Sequence, residues 1–240
     1  QPIESRTASF AKDSYATNVY FESRDGNKKE AVKRPGYTQV GSVTAGTAQG
    51  AYVFNNRLVF AVGNTIYSMT TGGTITSLGT IAGTGSVQFT QTANYGGTYY
   101  LFFHNSTNAY YITQAFGAPT ATGAAVFTSA LVPGSVYMDT YCFAALANGR
   151  VYQSDTDDPT TWGALNYVTA YSEPDPLIGI AKQLNYIVAF GQWSTEFFYD
   201  AASSPGSVLL PNASMKMDLG CYSGDTIAKI DQSVIWVATS

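Results

Sequence analysis

The chain has 240 residues, 45% of them hydrophobic, so it can bury a sizeable core, yet only 12% are charged while Phe, Trp and Tyr reach 14%. Its formal net charge of −4 argues against a reader of nucleic acid that works by neutralising phosphates. No apolar run approaches the ~18 residues of a membrane-spanning helix and no signal peptide opens the chain, so neither membrane insertion nor secretion is expected.

Charge is unevenly spread. Residues 1–34 hold seven basic and five acidic residues, a balance of +2, whereas residues 35–240 hold five basic and eleven acidic ones, a balance of −6. The expected organisation is an N-terminal strap, residues 1–35, ahead of a body at 36–240. Within the strap, "NVYFESRDGNKKEAVKRPGY" predicts an extended strand, a polar turn and a second strand ending at Pro35-Gly36. Such a strap can dock on a neighbouring subunit, close a ring of sheets, or form a simple hairpin on its own domain. Arg24, Lys28, Lys29, Lys33 and Arg34 are its candidates for gripping the acidic surface of a neighbour.

The body repeats one pattern: "NRLVFAVGNTIYSMT" from Asn56, "GTYYLFFHNSTNAYYIT" from Gly97, "DTYCFAALANGRVYQSD" from Asp139 and "LNYIVAFGQWSTEFFYD" from Leu184. Each is an apolar strand, a Gly/Asn/Ser turn and a second strand carrying an aromatic, which are hairpin signals. Asn148-Gly149 is the clearest turn, since both residues tolerate the positive φ of a type I′ turn. Aligned on Leu58, Tyr99, Tyr141 and Tyr186, the repeats are spaced by 41, 42 and 45 residues. Repeats of ~40–50 residues with several strands each mark the blades of a propeller. The predicted fold is therefore all-β, a β-propeller-like array of antiparallel hairpins. "GSVQFT" (85–90) and "AAVFT" (124–128) are expected as further strands. "VIWVA" near the end is expected as the first strand of another hairpin, leaving the last blade incomplete.

Aspartates cluster once, in "YQSDTDDPTTW" at 152–162. Ser154, Asp157, Thr161 and Trp162 echo the Asp-box turn of propeller hairpins, in which an aspartate caps backbone amides and a tryptophan packs beneath. A calcium loop would need more oxygen ligands at alternating positions and a distal glutamate, and Glu173 stands too far on. The stretch is read as a hairpin-capping turn built by Ser154, Asp157 and Trp162, with no metal and no cofactor. His104 is the one histidine and lies at a strand end, with no G-x-S-x-G elbow for a triad, and is read as a hairpin-edge residue. Asp139, Glu173, Asp175, Glu196 and Asp200 could supply a glycosidase pair only if two of them converged. Cys142 and Cys221 lack metal-like spacing, and Cys142 reads as a buried free thiol. No catalytic residue is assigned.

At "RVYQSDTDDPTTWGALNYVTAYSEPDPLIGIAKQLNYIVAFGQWSTEFFYD" (150–200) the chain resembles the tail hub or nozzle proteins of short-tailed bacteriophages, including packaged-DNA stabilisation proteins. The matching elements are the "SD…DP..W" turn, "EPDPLIGI", an apolar strand with "FG", and "STEFFYD". "KRPGY" at 33–37, "GAYVFNNRLVFAVGNTIYSM" at 50–69 and "MDLGCYSGDTIAKIDQSVIWVA" at 217–238 fit as well. The resemblance implies a structural, non-enzymatic virion protein in the tail. It implies a ring of identical subunits, typically a hexamer, below portal and adaptor proteins and beside other tail proteins. Genomic DNA would pass through that ring without sequence-specific binding and with no membrane contact. An acidic channel wall would suit that passage, since basic walls retard DNA through its phosphates. The competing reading from another class is a carbohydrate-binding or glycosidase-type propeller. Lectin repeats should share polar residues, yet "AVGN", "FHNSTN", "LANGR" and "FGQWS" differ at every turn.

Overall fold

The computed structural model describes residues 2–3, 14–15, 19–24, 28–36, 38–93, 96–203 and 205–239. Two units divide the chain, Gln1–Val40 and Gly41–Ser240. In the first, β1 (Pro2–Ile3) pairs with β2 (Ser14–Tyr15), and β3 (Val19–Arg24) pairs with β4 (Lys28–Lys33), all antiparallel.

The second unit is a succession of antiparallel four-stranded sheets. The first contains β5 (Ala48–Phe54), β6 (Arg57–Val62), β7 (Thr65–Thr70) and β8 (Ile75–Thr80). The second contains β9 (Gln88–Gln91), β10 (Tyr100–His104), β11 (Ala109–Thr113) and β12 (Thr120–Ala121). The third contains β13 (Leu131–Met138), β14 (Tyr141–Leu146), β15 (Arg150–Asp155) and β16 (Asp158–Thr169). The fourth contains β17 (Leu177–Gln183), β18 (Tyr186–Gly191), β19 (Thr195–Asp200) and β20 (Leu209–Pro211). In each sheet the strands pair in chain order, and the first strands β5, β9, β13 and β17 lie side by side in sequence. This is the arrangement of propeller blades, so the fold is an all-β propeller-like array.

The four repeats are the second and third strands of the four blades. The apolar runs of β10, β14 and β18 are nearly continuous because these middle strands are covered on both faces by neighbouring structure, whereas β6 of blade one is buried at alternate positions. Strand alternation then sends successive residues to opposite neighbours. Leu101 and Phe103 join Phe54, Val59 and Ile66 between blades one and two, while Phe102 joins Cys142, Ala144 and Trp162 between blades two and three. Phe143 and Ala145 meet Ile187, Ala189 and Phe198 between blades three and four. Val188 and Phe190 face Cys221 and Trp236 beyond blade four.

After blade four, β21 (Gly220–Cys221) pairs with β24 (Ala238–Thr239), and β22 (Ala228–Ile230) pairs with β23 (Ser233–Ile235). Of the apolar stretch expected to start a hairpin, Val234 and Ile235 lie in β23, which closes a hairpin turned at Asp231 with φ +54, and Ala238 lies in β24. "AAVFT" forms no strand. It makes a turn instead, with the amide of Phe127 donating to the Ala124 carbonyl, and the Phe127 ring packs on Trp162 at 5.1 Å. "GSVQFT" contributes β9.

Turn chemistry also differs from the sequence expectation at Asn148-Gly149. Only Gly149 has positive φ, and its amide donates to the Leu146 carbonyl, giving a three-residue loop with glycine in the left-handed position. Paired positive φ occurs instead at Asn55-Asn56 and Asp139-Thr140, which close β5–β6 and β13–β14.

Candidate functional site

In the strap hairpin, register places Val19 opposite Lys33, Phe21 opposite Ala31, Ser23 opposite Lys29, and Arg24 opposite Lys28. Cross-strand partners share a face, so positions 29 and 33 fall on one face and positions 24 and 28 on the other. Lys33 and Arg34 are exposed, and the side chains of Arg24, Lys28 and Lys29 lie outside the described residues. Tyr20 and Phe21 are exposed at 40% and 48%, on opposite faces of the same strand. The Tyr20 hydroxyl is raised above its ordinary value by its hydrogen bond to Glu22 and by that carboxylate's charge.

The aspartate cluster forms the tip of β15–β16. Asp155 pairs with Asp158 across a turn at Thr156-Asp157, where Asp157 has φ +53. Ser154 is buried, and its Oγ accepts from the Cys142 amide at 3.0 Å and donates to the Asp155 carbonyl at 2.8 Å. The Trp162 indole donates to the Pro159 carbonyl at 2.8 Å, while its ring packs on Phe102 of blade two at 5.4 Å. Ser154 and Trp162 thus both bond within the hairpin or to its neighbouring strand.

The capping carboxylate is Asp158 rather than Asp157. Asp158 accepts from the Thr160 amide at 2.9 Å, the Thr160 hydroxyl at 2.6 Å and the Thr161 hydroxyl at 2.9 Å. Partial burial works to raise its carboxyl, but the hydrogen bonds from Thr160 and Thr161 outweigh it and leave the group below its ordinary value. Asp157 reaches across the blade to accept the Tyr137 hydroxyl of β13, and its own amide donates to the Thr140 carbonyl at 2.7 Å. Burial first, and then this carboxylate, push the Tyr137 hydroxyl up. Proximity in sequence could not separate the two roles, because one residue decides which carboxylate follows the turn.

Four of the other carboxylates considered for catalysis, Glu173, Asp175, Glu196 and Asp200, are taken up by local structure. Asp175 accepts from the Trp193 amide at 2.6 Å and from Ser194. Glu196 takes the Ser172 amide, Asp200 the Ala202 amide, and Glu173 pairs with Lys216 at 2.9 Å. Asp139 and Asp200 line one cleft with Tyr186 and Tyr199 of blade four. Among the described residues no three His, Cys, Asp or Glu side chains converge as a metal site.

His104 departs from the edge position expected of it. It is fully buried, with Nδ1 3.2 Å from the Asn105 carbonyl and Nε2 3.2 Å from the Gly134 carbonyl of blade three. Burial pushes its imidazole below the ordinary value, against the two carbonyls. Next to it, Asn105 Oδ1 accepts from the Thr107 and Asn108 amides, and its Nδ2 donates to the Ala82 carbonyl at 2.8 Å. The stretch "HNSTN" is a blade-to-blade joint. Both cysteines are free and buried, and burial raises their thiols.

The first strands line an axial cleft of about 440 Å³ that sequence reasoning missed. It receives Gln88 and Thr90 from β9, Ser135 and Tyr137 from β13, Lys182 from β17 and Lys229 from β22. Their only sequence signal is a set of polar residues interrupting strands that are otherwise apolar.

No curated protein matches the chain. Among solved structures it is similar to YCF48 from Cyanidioschyzon merolae, with 12% identity, a TM-score of 0.53, and 92% of this chain and 71% of that chain covered. It is also similar to YCF48 bound to D1 peptide, at 12% identity and a TM-score of 0.47, covering 83% of this chain and 65% of that one. A computationally designed protein, Ika4, aligns at 12% identity and a TM-score of 0.45 over 68% of this chain and 98% of its own. At such identities the likeness concerns the fold alone. The sequence profile described as "Bacteriophage P22 Gp10, beta-propeller", of the phage stabilisation family, matches residues 4–240. By that match, over a chain whose sheets stack as blades, this protein belongs to the bacteriophage P22 Gp10 beta-propeller family, a family of phage structural proteins.

Proposed function

We propose that the protein is a hub or nozzle component of a short-tailed phage tail. Identical subunits, six in the expected ring, form part of the DNA conduit below the portal and adaptor, retaining the genome and then passing it during ejection. The observation that carries this reading is the family match over residues 4–240. Closed rings of identical subunits use heterologous contacts that repeat by rotation. The opposed charge of the strap, +2, and of the rest of the chain, −6, suits such a contact. In this role the protein turns over no substrate. The capped carboxylates support that reading, since each spends its oxygens on local amides, hydroxyls or a lysine.

Deleting residues 1–30 tests the assembly. The variant is expected to keep its strand signal and its melting transition while sedimenting as smaller species than the intact chain. Lys33→Glu with Arg34→Glu should shift the same equilibrium in the same direction. A deletion variant that assembles as fully as the intact chain contradicts the strap's role.

A further inference from the structure

Basic residues are scarce in residues 35–240, where Arg57, Arg150, Lys182, Lys216 and Lys229 face eleven acids. Among the described residues, three of the five are held by an aromatic ring or a carboxylate. The Arg57 guanidinium lies 4.4 Å from the centre of the Phe116 ring. Arg150 sits 4.5 Å over Tyr167 and donates to the Tyr152 hydroxyl at 3.2 Å. Lys216 bridges Glu173 at 2.9 Å and Asp218 at 3.7 Å. The two that remain, Lys182 and Lys229, come from different elements and line the same axial cleft.

No Asp or Glu lines that cleft among the described residues. The Asp157 carboxylate is occupied by the Tyr137 hydroxyl, and Asp225 faces the neighbouring clefts. Lys182 spends one long bond, 3.4 Å, on the Tyr137 carbonyl, which leaves further ammonium protons to donate. Beside it the Thr90 and Ser135 hydroxyls bond each other across β9 and β13, and Gln88 adds an amide. A concave site with one sign of charge concentrates counter-charge, and here that sign opposes the net charge of the body around it.

We propose that this axial cleft binds a phosphoryl oxyanion, held by the ammonium groups of Lys182 and Lys229 and by the hydroxyl pair of Thr90 and Ser135. An ammonium group binds phosphate as a point charge with charge-assisted hydrogen bonds, and rotatable hydroxyls adapt to the remaining oxygens. The ligand is either a free phosphate-bearing anion or a backbone phosphate of DNA. The shared chemistry is the same. The site stands on the cleft itself and does not depend on the tail assembly proposed above.

The test titrates inorganic phosphate into the full chain at constant ionic strength, reading binding heat and melting temperature, with a short DNA duplex as the second probe. Saturable phosphate binding that raises the melting temperature is expected. Lys182→Gln and Lys229→Gln should each weaken it by about tenfold or more, the double variant should abolish it, and Lys216→Gln should leave it unchanged. Competition by the duplex at the same lysines assigns the site to backbone phosphates. Phosphate binding without such competition assigns it to a free anion. Should Lys182→Gln fail to fold, Lys229→Gln at an exposed position gives the answer alone. No saturable binding of either probe, or binding that survives the double substitution in a folded protein, overturns the proposal.

Discussion

The Ile180 carbonyl oxygen occupies the space that a Cβ on Gly134 would need, so the first strands of blades three and four meet backbone against backbone. Gly134 also has φ +94, a conformation that side chains rarely adopt, and it sits within the register shift between Leu131 and Ser135. Gly134→Ala should therefore destabilise the protein by about 3 kcal/mol or more, from strain and overpacking together. Gly36→Ala, which meets nothing within 4 Å, serves as the control. Urea midpoints for the two variants check this.

The hydrogen bond between Tyr137 and Asp157 ties the first strand of blade three to the tip of its last hairpin. Tyr137→Phe and Asp157→Asn should each cost about 1–2 kcal/mol. The double variant should cost less than their sum, because both remove one interaction. Additive losses would mean that the two groups do not interact in solution.

Capping of the β15–β16 hairpin distinguishes its aspartates. Asp158→Ala removes the acceptor of three hydrogen bonds and should cost about 1–2 kcal/mol. Asp155→Ala, at an exposed position, should change stability by less than about 0.5 kcal/mol. Thermal unfolding of the pair gives the comparison.

Acid sensitivity follows from His104. Its folded value lies below the ordinary 6.5, so the unfolded chain takes up the proton first. The stability this neutral imidazole contributes is full above about pH 6.5 and declines as pH falls toward the folded value. Asp158, also depressed, adds a second loss at lower pH, beginning near its ordinary value of 3.8 and continuing through its folded value. Replacing His104 with Gln should flatten the upper part of the stability–pH curve and leave the lower part. An unchanged slope between pH 6.5 and 5 would contradict this.

The middle hairpins were legible in the sequence because their residues are apolar on both faces and their turns are polar. "YLFFH" and "YCFAAL" have no solvent face to encode. The first strands were harder to read. β13 carries Pro133 and Gly134, β17 carries Gly179, and their polar residues face the axis, so neither strict alternation nor a continuous apolar run marks them. "AAVFT" has strand-like composition, but Val126 and Phe127 are spent on a plug against the second and third blades. His104 looked like an edge residue because its partner, the Gly134 carbonyl, is thirty positions away. Long-range placement of this kind leaves no trace in local spacing.

Assembly of the intact chain is the most direct measurement. Native mass determination with electron images of the same sample should show rotationally related copies around an open channel, with no glycoside hydrolysis. A species that stays monomeric at every concentration and hydrolyses a chromogenic glycoside, an activity lost on Asp139→Asn or Asp200→Asn, would contradict the account.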